Sequence, residues 1–179
     1  MTSATATSGR LVTGMFPDRE SAEAAYGTAH ERGYSKNDVD LVMSDKTRDK
    51  HFTGTTAWKQ TELGNKAAEG AGIGGAIGGS VGAIAAAIAA IGTSLALPGL
   101  GLVIAGPLAA AVAGAGAGAA GGGLIGALVG WGIPEERVKR YEDGLKKGGI
   151  LMGVRAKNNE DADHLESSWK SNRGENVYR

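Results

Sequence analysis

The chain of 179 residues has no cysteine, a formal net charge of zero, and aromatic residues at only 5% of its positions. Without cysteine it has no disulfides, thiolate metal sites or thiol nucleophiles, and this fits a reducing compartment. The balanced charge gives no electrostatic reason to expect a nucleic-acid partner. The length predicts one domain with an insertion, or two small domains.

A secretory signal is also missing from the start of the chain. Residues 1–9 are rich in Ser, Thr and Ala and lack a basic stretch followed by an apolar one. This composition predicts a disordered tail. We therefore expect the protein in the cytoplasm or at the cytoplasmic face of the inner membrane.

Charged residues disappear between positions 70 and 134, where Gly, Ala and aliphatic side chains dominate. Glycine recurs there at every fourth position in two ladders: Gly70, Gly74, Gly78 and Gly82, then Gly114, Gly118, Gly122, Gly126 and Gly130. Residues four apart share one face of a helix, so each ladder predicts a smooth groove where a second backbone packs closely. A turn signal at 97–101 separates the ladders. The pattern predicts a glycine-zipper helical hairpin over 66–132, with helices at 66–92 and 103–131.

Such a hairpin needs help from its surroundings. A glycine costs about 1 kcal/mol relative to alanine inside a helix, so the first ladder alone costs about 4 kcal/mol. Either hairpins from many copies pack into a homo-oligomer or filament, or the hairpin crosses a lipid bilayer as two transmembrane helices. Six large aliphatic residues give only about −2 to −4 kcal/mol for inserting the first helix. We therefore favour self-association over membrane anchoring.

The chain on either side of this block predicts an α+β domain. Alternating apolar residues indicate strands over 10–16 and 38–44, and a third apolar segment at 150–156 indicates another. In the first strand, Leu11, Thr13 and Met15 share one face, and Val12 and Phe16 share the other. The polar segment 45–65 predicts a linker into the hairpin.

Helix signals complete this domain. Asp18 is the expected N-cap of a first helix that Gly33 ends, and Pro134 fits the first turn of a second helix that stops at Gly148. A capping asparagine at 158 or 159 opens a last helix, and a short strand near 176–178 follows. The prediction is a small ferredoxin-like βαβ…αβα(β) sandwich over 10–44 plus 133–179, with the hairpin inserted.

Motifs for catalysis or ligand binding are weak. The segments 70–75 and 116–121 match G-x-G-x-x-G, but neither follows a predicted strand, as a dinucleotide site requires. Glu135 and Glu136 are better explained as acids at a helix start than as an acid/base pair. The histidines have no metal-ligand spacing: His30, His51 and His164. The sequence predicts no enzyme, cofactor, metal or small-molecule substrate.

Three aromatic residues bracket the apolar block: Trp58, Trp131 and Tyr141. They fit an interfacial belt if the hairpin lies in a membrane, and core packing explains Tyr141 equally well.

Several segments together resemble a known family. GMFPDRESAEAA and GYSKNDVDLVMSD precede ALPGLGLVIAGPLAAAVAGAGAGAAGGGLIGALVGWGIPEERVKRYEDGLKKGGILMGV. This order is similar to the bacterial general stress, or heat-induced stress, protein family with a YflT-like domain, over about residues 10–44 and 95–156. The resemblance implies stress-linked expression and a membrane or glycine-zipper segment, and it implies no catalytic residues. The expected function is therefore structural: self-assembly through the hairpin, with the α+β domain outside.

Overall fold

The structure is a computed structural model that describes residues 9–52, 94–97, 101–109, 125–126 and 128–179. It is an α+β fold, as the sequence predicts. In chain order the elements are β1 (Leu11–Phe16), α1 (Arg19–Glu31), β2 (Val39–Ser44), α2 (Asp45–Phe52), β3 (Ser94–Leu97), β4 (Leu102–Ala105), α3 (Glu135–Lys146), β5 (Ile150–Arg155), α4 (Asn159–Ser171) and β6 (Glu175–Tyr178). The predicted tail over 1–9 lies outside the described residues except for Gly9.

The described strands form one six-stranded sheet in the order β3-β4-β2-β5-β1-β6. All its neighbouring strands pair antiparallel. Strands β1 and β2 both run antiparallel to β5, so they are parallel to each other and are joined through α1. Strands β5 and β6 flank β1 in the same way and are joined through α4. The two βαβ units therefore interleave, and β5 and β1 are the inner two of their four strands.

The sheet is covered on both faces. Val12 and Phe16 of β1 pack with α1 and α4 on one face. Met15 packs with α3 on the opposite face, where Thr13 Oγ1 lies 2.8 Å from the Tyr141 hydroxyl oxygen. The predicted division of β1 into two faces is confirmed, because a strand turns successive side chains to opposite sides.

Trp169 is the largest side chain buried between the sheet and its helices. Its ring meets Phe16 edge to face, with centroids 5.6 Å apart. Its Nε1 donates to the Ala25 carbonyl oxygen at 3.1 Å, and this ties α4 to α1. The contact joins the two crossover helices into one layer.

Most predicted helix ends are confirmed. Asp18 caps α1 by accepting from the Ser21 backbone N–H at 2.8 Å. Gly33 and Gly148 follow α1 and α3 with φ of +77° and +94°, which is the left-handed conformation that ends a helix at glycine. Pro134 differs slightly from the prediction, because it is the N-cap of α3 and the helix begins at Glu135.

The predicted linker 45–65 is wrong over its first eight residues, which form α2. Thr47 and Phe52 are buried, and Thr47 Oγ1 donates to the Gly148 carbonyl oxygen at 3.2 Å. Two buried positions in eight residues leave too weak an apolar period to identify a helix from sequence. The rest of that linker lies outside the described residues.

The helical hairpin predicted over 66–132 is wrong where β3 and β4 occur. Residues 94–97 and 102–105 form antiparallel strands, so the predicted turn signal falls between two strands, and no helix begins at 103. The physical reason lies in Leu102, Val103 and Ile104. This short apolar run contains β-branched residues and is buried on both faces, as interior strands are.

Part of the predicted insertion belongs to the core of the α+β domain. Ile104, Leu128 and Trp131 are buried in the same cluster as Val42 and Leu151 of the central strands. Ile104, Leu128 and Trp131 lie outside the limits predicted for this domain, 10–44 and 133–179. The helical residues described within the predicted second helix are 107–109, 125–126 and 128–131.

Replacing Trp169 tests the layer that joins α1 and α4. We expect Trp169→Ala to lower the free energy of unfolding by about 3–5 kcal/mol, because it removes a buried ring and leaves a cavity. Trp169→Phe keeps most of the packing and should cost clearly less. Urea unfolding followed by circular dichroism measures both losses, and equal losses would contradict this role of the indole.

Candidate functional site

Two glycines of the predicted ladders lie in the described part of the chain. Gly126 and Gly130 are exposed, and no described atom lies within 4 Å of a Cβ built on either residue. The other ladder glycines lie outside the described residues: Gly70, Gly74, Gly78, Gly82, Gly114, Gly118 and Gly122. The two visible positions are therefore open to a packing partner on their side of the helix.

Large aliphatic side chains accompany these glycines on the surface. Ile125 is 38% exposed and Val129 is 44% exposed, and they are the two exposed large hydrophobic side chains of the described residues. Positions 125, 126, 129 and 130 share one face of a helical turn. We call Ile125, Gly126, Val129 and Gly130 the ladder face. It is apolar, uncharged and open.

The helical turn that carries the ladder face, residues 125–126 and 128–131, has a fixed orientation. We call it the Trp131 turn. It ends in a Schellman motif, in which Gly132 has φ +103°, its N–H donates to the Val129 oxygen and the Ile133 N–H donates to the Leu128 oxygen. Leu128 and Ile133 are buried, as the hydrophobic contact of this motif requires. Because Leu128 points inward, the ladder face points outward.

The six-membered ring of Trp131 lies next to Gly153 of β5. A Cβ built at Gly153 would overlap the Trp131 ring, so only glycine leaves room for the indole. Asp40 on β2 and Thr13 on β1 stand opposite Gly153 in the register. The Arg155 Nη2 donates to the Trp131 carbonyl oxygen at 3.2 Å. We call the residues between 109 and 125 the glycine-rich segment. The chain that leaves this segment is thus held at the notch that Gly153 forms in β5.

The chain that enters this segment is held at the same place. We call residues 106–109 the Pro107 turn. Gly106 has φ +101° and lies so close to β2 that an added Cβ would overlap the Val39 carbonyl oxygen. The Leu108 backbone N–H donates to Asp40 Oδ1 at 2.5 Å, and the Ala109 N–H donates to the Gly106 oxygen. The turn therefore depends on a carboxylate from β2.

Asp40, Leu108, Trp131, Gly153 and Arg155 form one cluster, which we call the clasp. Asp40 is 3% exposed, and burial raises its pKa to about 6. The Leu108 N–H, the positive charge of Arg155 and hydrogen bonding from the Trp131 side chain lower this pKa without cancelling the effect of burial. The clasp joins the two ends of the segment between residues 109 and 125.

The shifted pKa of Asp40 fixes the sign of its effect on stability. A carboxyl whose pKa rises on folding stabilises the fold fully below its ordinary pKa of 3.8 and loses that contribution as the pH rises through about 6. The shift corresponds to about 3 kcal/mol. Keeping an ionised Asp40 at neutral pH is therefore costly, and perturbed groups of this kind are frequent at functional sites.

A shallow pocket of about 250 Å³ opens beside the clasp. Its walls combine three acidic or amide side chains, one arginine and three apolar residues: Asn37, Asp38, Asp40, Arg155, Pro107, Leu108 and Trp131. This volume is below the range of about 300–1,000 Å³ typical of small-molecule sites. We therefore interpret the pocket as part of the clasp and not as a separate small-molecule site.

The remaining candidate residues of the sequence analysis are dispersed. Glu135 and Glu136 are acids in the first turn of α3, as predicted. Each histidine has separate surroundings: His30 lies near the Tyr34 carbonyl, His164 near Ser168, and His51 against Phe52. The part of the chain that the structure describes brings no three metal-ligating side chains together.

Of the three bracketing aromatic residues, Trp58 lies outside the described residues, and Trp131 and Tyr141 both lie in the core. Tyr141 is fully buried and donates to the Asn176 carbonyl oxygen at 2.8 Å, and Trp131 is 5% exposed. The interpretation of these rings as an interfacial belt is therefore wrong. Across the described ranges, no helix has the length and apolarity needed to cross a bilayer.

Sequence reasoning missed Asp40, Gly153 and Arg155. A signal for the first was present, because aspartate is depleted in strands and this one stands between Val39 and Leu41. A second was Gly153 inside the strand segment ILMGV, where glycine marks a bulge or a close approach. Neither signal identifies the partner.

Comparison of the chain with protein-family models, curated proteins and solved structures gives no match. The resemblance to the general stress protein family stays a prediction.

Substitution of Gly153 tests the notch that holds Trp131. Gly153→Val should lower the free energy of unfolding by about 1–3 kcal/mol, because the new side chain takes the volume of the indole. In Trp131→Ala the same substitution should cost much less, since the two sites are in contact and their effects do not add. Additive losses in a double-mutant cycle of urea unfolding would contradict the contact.

The stability of Asp40→Asn tests the cost of the buried charge. The difference in unfolding free energy between variant and wild type should shift by about 2.5 kcal/mol in favour of the variant between pH 4 and pH 7.5. The reason is that only the wild type has to ionise a carboxyl in the core. Urea titrations at several pH values measure this, and a difference that does not vary with pH would rule out the raised pKa.

Proposed function

We propose that this protein is a non-enzymatic, stress-type structural protein that self-associates through its glycine-rich segment into a higher-order assembly. In this proposal the α+β domain lies on the outside, and the partner is a second copy of the chain. The observation that carries the proposal is the ladder face, where Gly126 and Gly130 lie open beside exposed Ile125 and Val129.

The composition of the ladder face favours backbone packing. Two glycines one turn apart remove side chains from a strip, and Ile125 and Val129 supply apolar area along one side of it. Close approach of a second helix gains van der Waals contact along such a strip. A glycine costs about 1 kcal/mol in a helix interior, so a partner offsets a cost that solvent does not.

The clasp supports the same proposal. Leu108 and Trp131 line one pocket, so the segment between their turns begins and ends at one place on the sheet. The Trp131 turn is anchored by Leu128 and Trp131 on its inner side and carries the ladder face on its outer side. A surface built on a core-anchored turn is preorganised for a partner, and this lowers the entropic cost of association.

We also propose a ferredoxin-like topology for the four consecutive strands β2-β5-β1-β6. Two interleaved βαβ units with antiparallel neighbours support it. Strands β3 and β4 extend this sheet beyond β2. This topology places α3 and the clasp on the face opposite α1 and α4, away from the two crossover helices.

Blocking the ladder face tests self-association. In Gly126→Leu combined with Gly130→Leu, we expect the assembly to dissociate to smaller species in sedimentation velocity, because two isobutyl groups fill the strip. Leucine favours helix over glycine by about 0.8–1 kcal/mol, so the substitutions do not weaken the turn itself. Gly27→Leu is the matched control, since Gly27 lies in α1 and a Cβ built on it also meets open space.

Unchanged sedimentation of the double variant would count against the proposal, and so would a wild type that remains monomeric at all concentrations. Flotation with liposomes separates the membrane alternative. Wild-type protein that floats with lipid and forms no large particles without it would favour anchoring at the inner membrane over assembly.

A further inference from the structure

We propose that Asp40 is a positioning residue that holds both ends of the glycine-rich segment on the sheet, and that ionisation of its carboxyl weakens this hold. Its consequence for assembly rests on the proposed function, because the Trp131 turn carries the ladder face.

Asp40 reaches both ends through separate contacts. Its Oδ1 accepts from the Leu108 backbone N–H at 2.5 Å, 68 positions along the chain, and this fixes the Pro107 turn. Trp131 lies beside the same carboxyl, in the notch that Gly153 leaves directly opposite Asp40. Arg155, two residues further along β5, holds the Trp131 carbonyl oxygen. The carboxyl is thus the group on which the two turns converge.

The surroundings of Asp40 determine how pH acts on it. Among the described residues, Arg155 from β5 and Asp38 from the chain before β2 are the charged groups that line its pocket. Helix α3 packs on this face through Val138, Tyr141 and Leu145, and burial raises the pKa of Tyr141 to about 12. Tyr141 therefore keeps its proton between pH 4 and pH 8, the range in which Asp40 ionises.

The direction of the effect follows from linkage. Burial raises the pKa of Asp40 to about 6 while the turns are attached, and the pKa returns toward 3.8 when a turn detaches and water reaches the carboxyl. The attached state binds the proton more tightly, so attachment is firmest in acid. It weakens about fivefold per pH unit between pH 4 and pH 6 and then levels off.

Hydrogen–deuterium exchange of the full chain, read by mass spectrometry, tests the hold at each end. The informative peptides cover residues 102–109 and 125–133, with rates corrected for the intrinsic effect of pH. In the wild type we expect opening of both peptides to be about tenfold less favourable at pH 5 than at pH 7.5. Asp40→Asn should show no such dependence, because its side chain does not ionise.

Two further variants distinguish positioning from a merely structural role. Asp38→Asn is the matched control, an exposed acid of the same pocket bound to Ser35, and it should keep the pH dependence. Arg155→Gln removes the positive charge that lowers the pKa of Asp40, so the pH at which the effect levels off should move to a higher value. This shift remains measurable if Asp40→Asn does not fold.

The outcomes separate the two proposals. Identical exchange profiles for wild type and Asp40→Asn, or an Arg155→Gln profile that does not move, would overturn the role of Asp40. Sedimentation at the same pH values reads assembly independently. If exchange depends on pH as predicted but the protein stays monomeric, the result supports the role of Asp40 and refutes self-association. If exchange depends on pH but the size of the assembly does not, the result overturns the link between the clasp and assembly.

Discussion

The whole structure depends on covering β5 on both faces. Ile150, Leu151, Met152 and Val154 are fully buried, and they alternate between the two clusters. Helices α1 and α4 cover one face. On the other face α3 is joined by residues that flank the glycine-rich segment, so that segment is attached to the core rather than appended to it. Removing residues 66–132 as a unit would strip β3, β4 and Trp131 from the fold.

The flanking elements could be predicted because their signals are local. The alternation in β1, the N-cap Asp18 and the glycines after α1 and α3 each depend on a few neighbouring residues. Strand β4 could not be read in the same way. Leu102 to Ala105 lie in a charge-free stretch whose glycine period predicts helix, and only burial between two layers selects the strand. The tertiary environment overrode the local pattern.

The candidate site divides along the same line. Gly126 and Gly130 could be named as candidate packing positions from their spacing alone, since a four-residue period is visible in the sequence. The clasp was not found, because Asp40 lies 68 residues from Leu108 and 91 from Trp131. No local pattern relates an acid in one strand to a backbone N–H after another strand. Strand register brings Asp40 opposite Gly153, and register depends on the whole sheet.

The aspartate at position 40 is informative because burying its ionised carboxyl costs free energy that a neutral side chain would not. A leucine would leave the Leu108 N–H without its acceptor, at a cost of about 1–3 kcal/mol. An asparagine would keep one acceptor oxygen and avoid burying a charge, but its NH₂ group would add donors beside the indole, whose N–H is itself a donor. The carboxyl accepts from the Leu108 N–H and is hydrogen-bonded by the Trp131 side chain, and it brings about 3 kcal/mol of ionisation cost at neutral pH. That cost makes the attachment of the ladder face sensitive to protons.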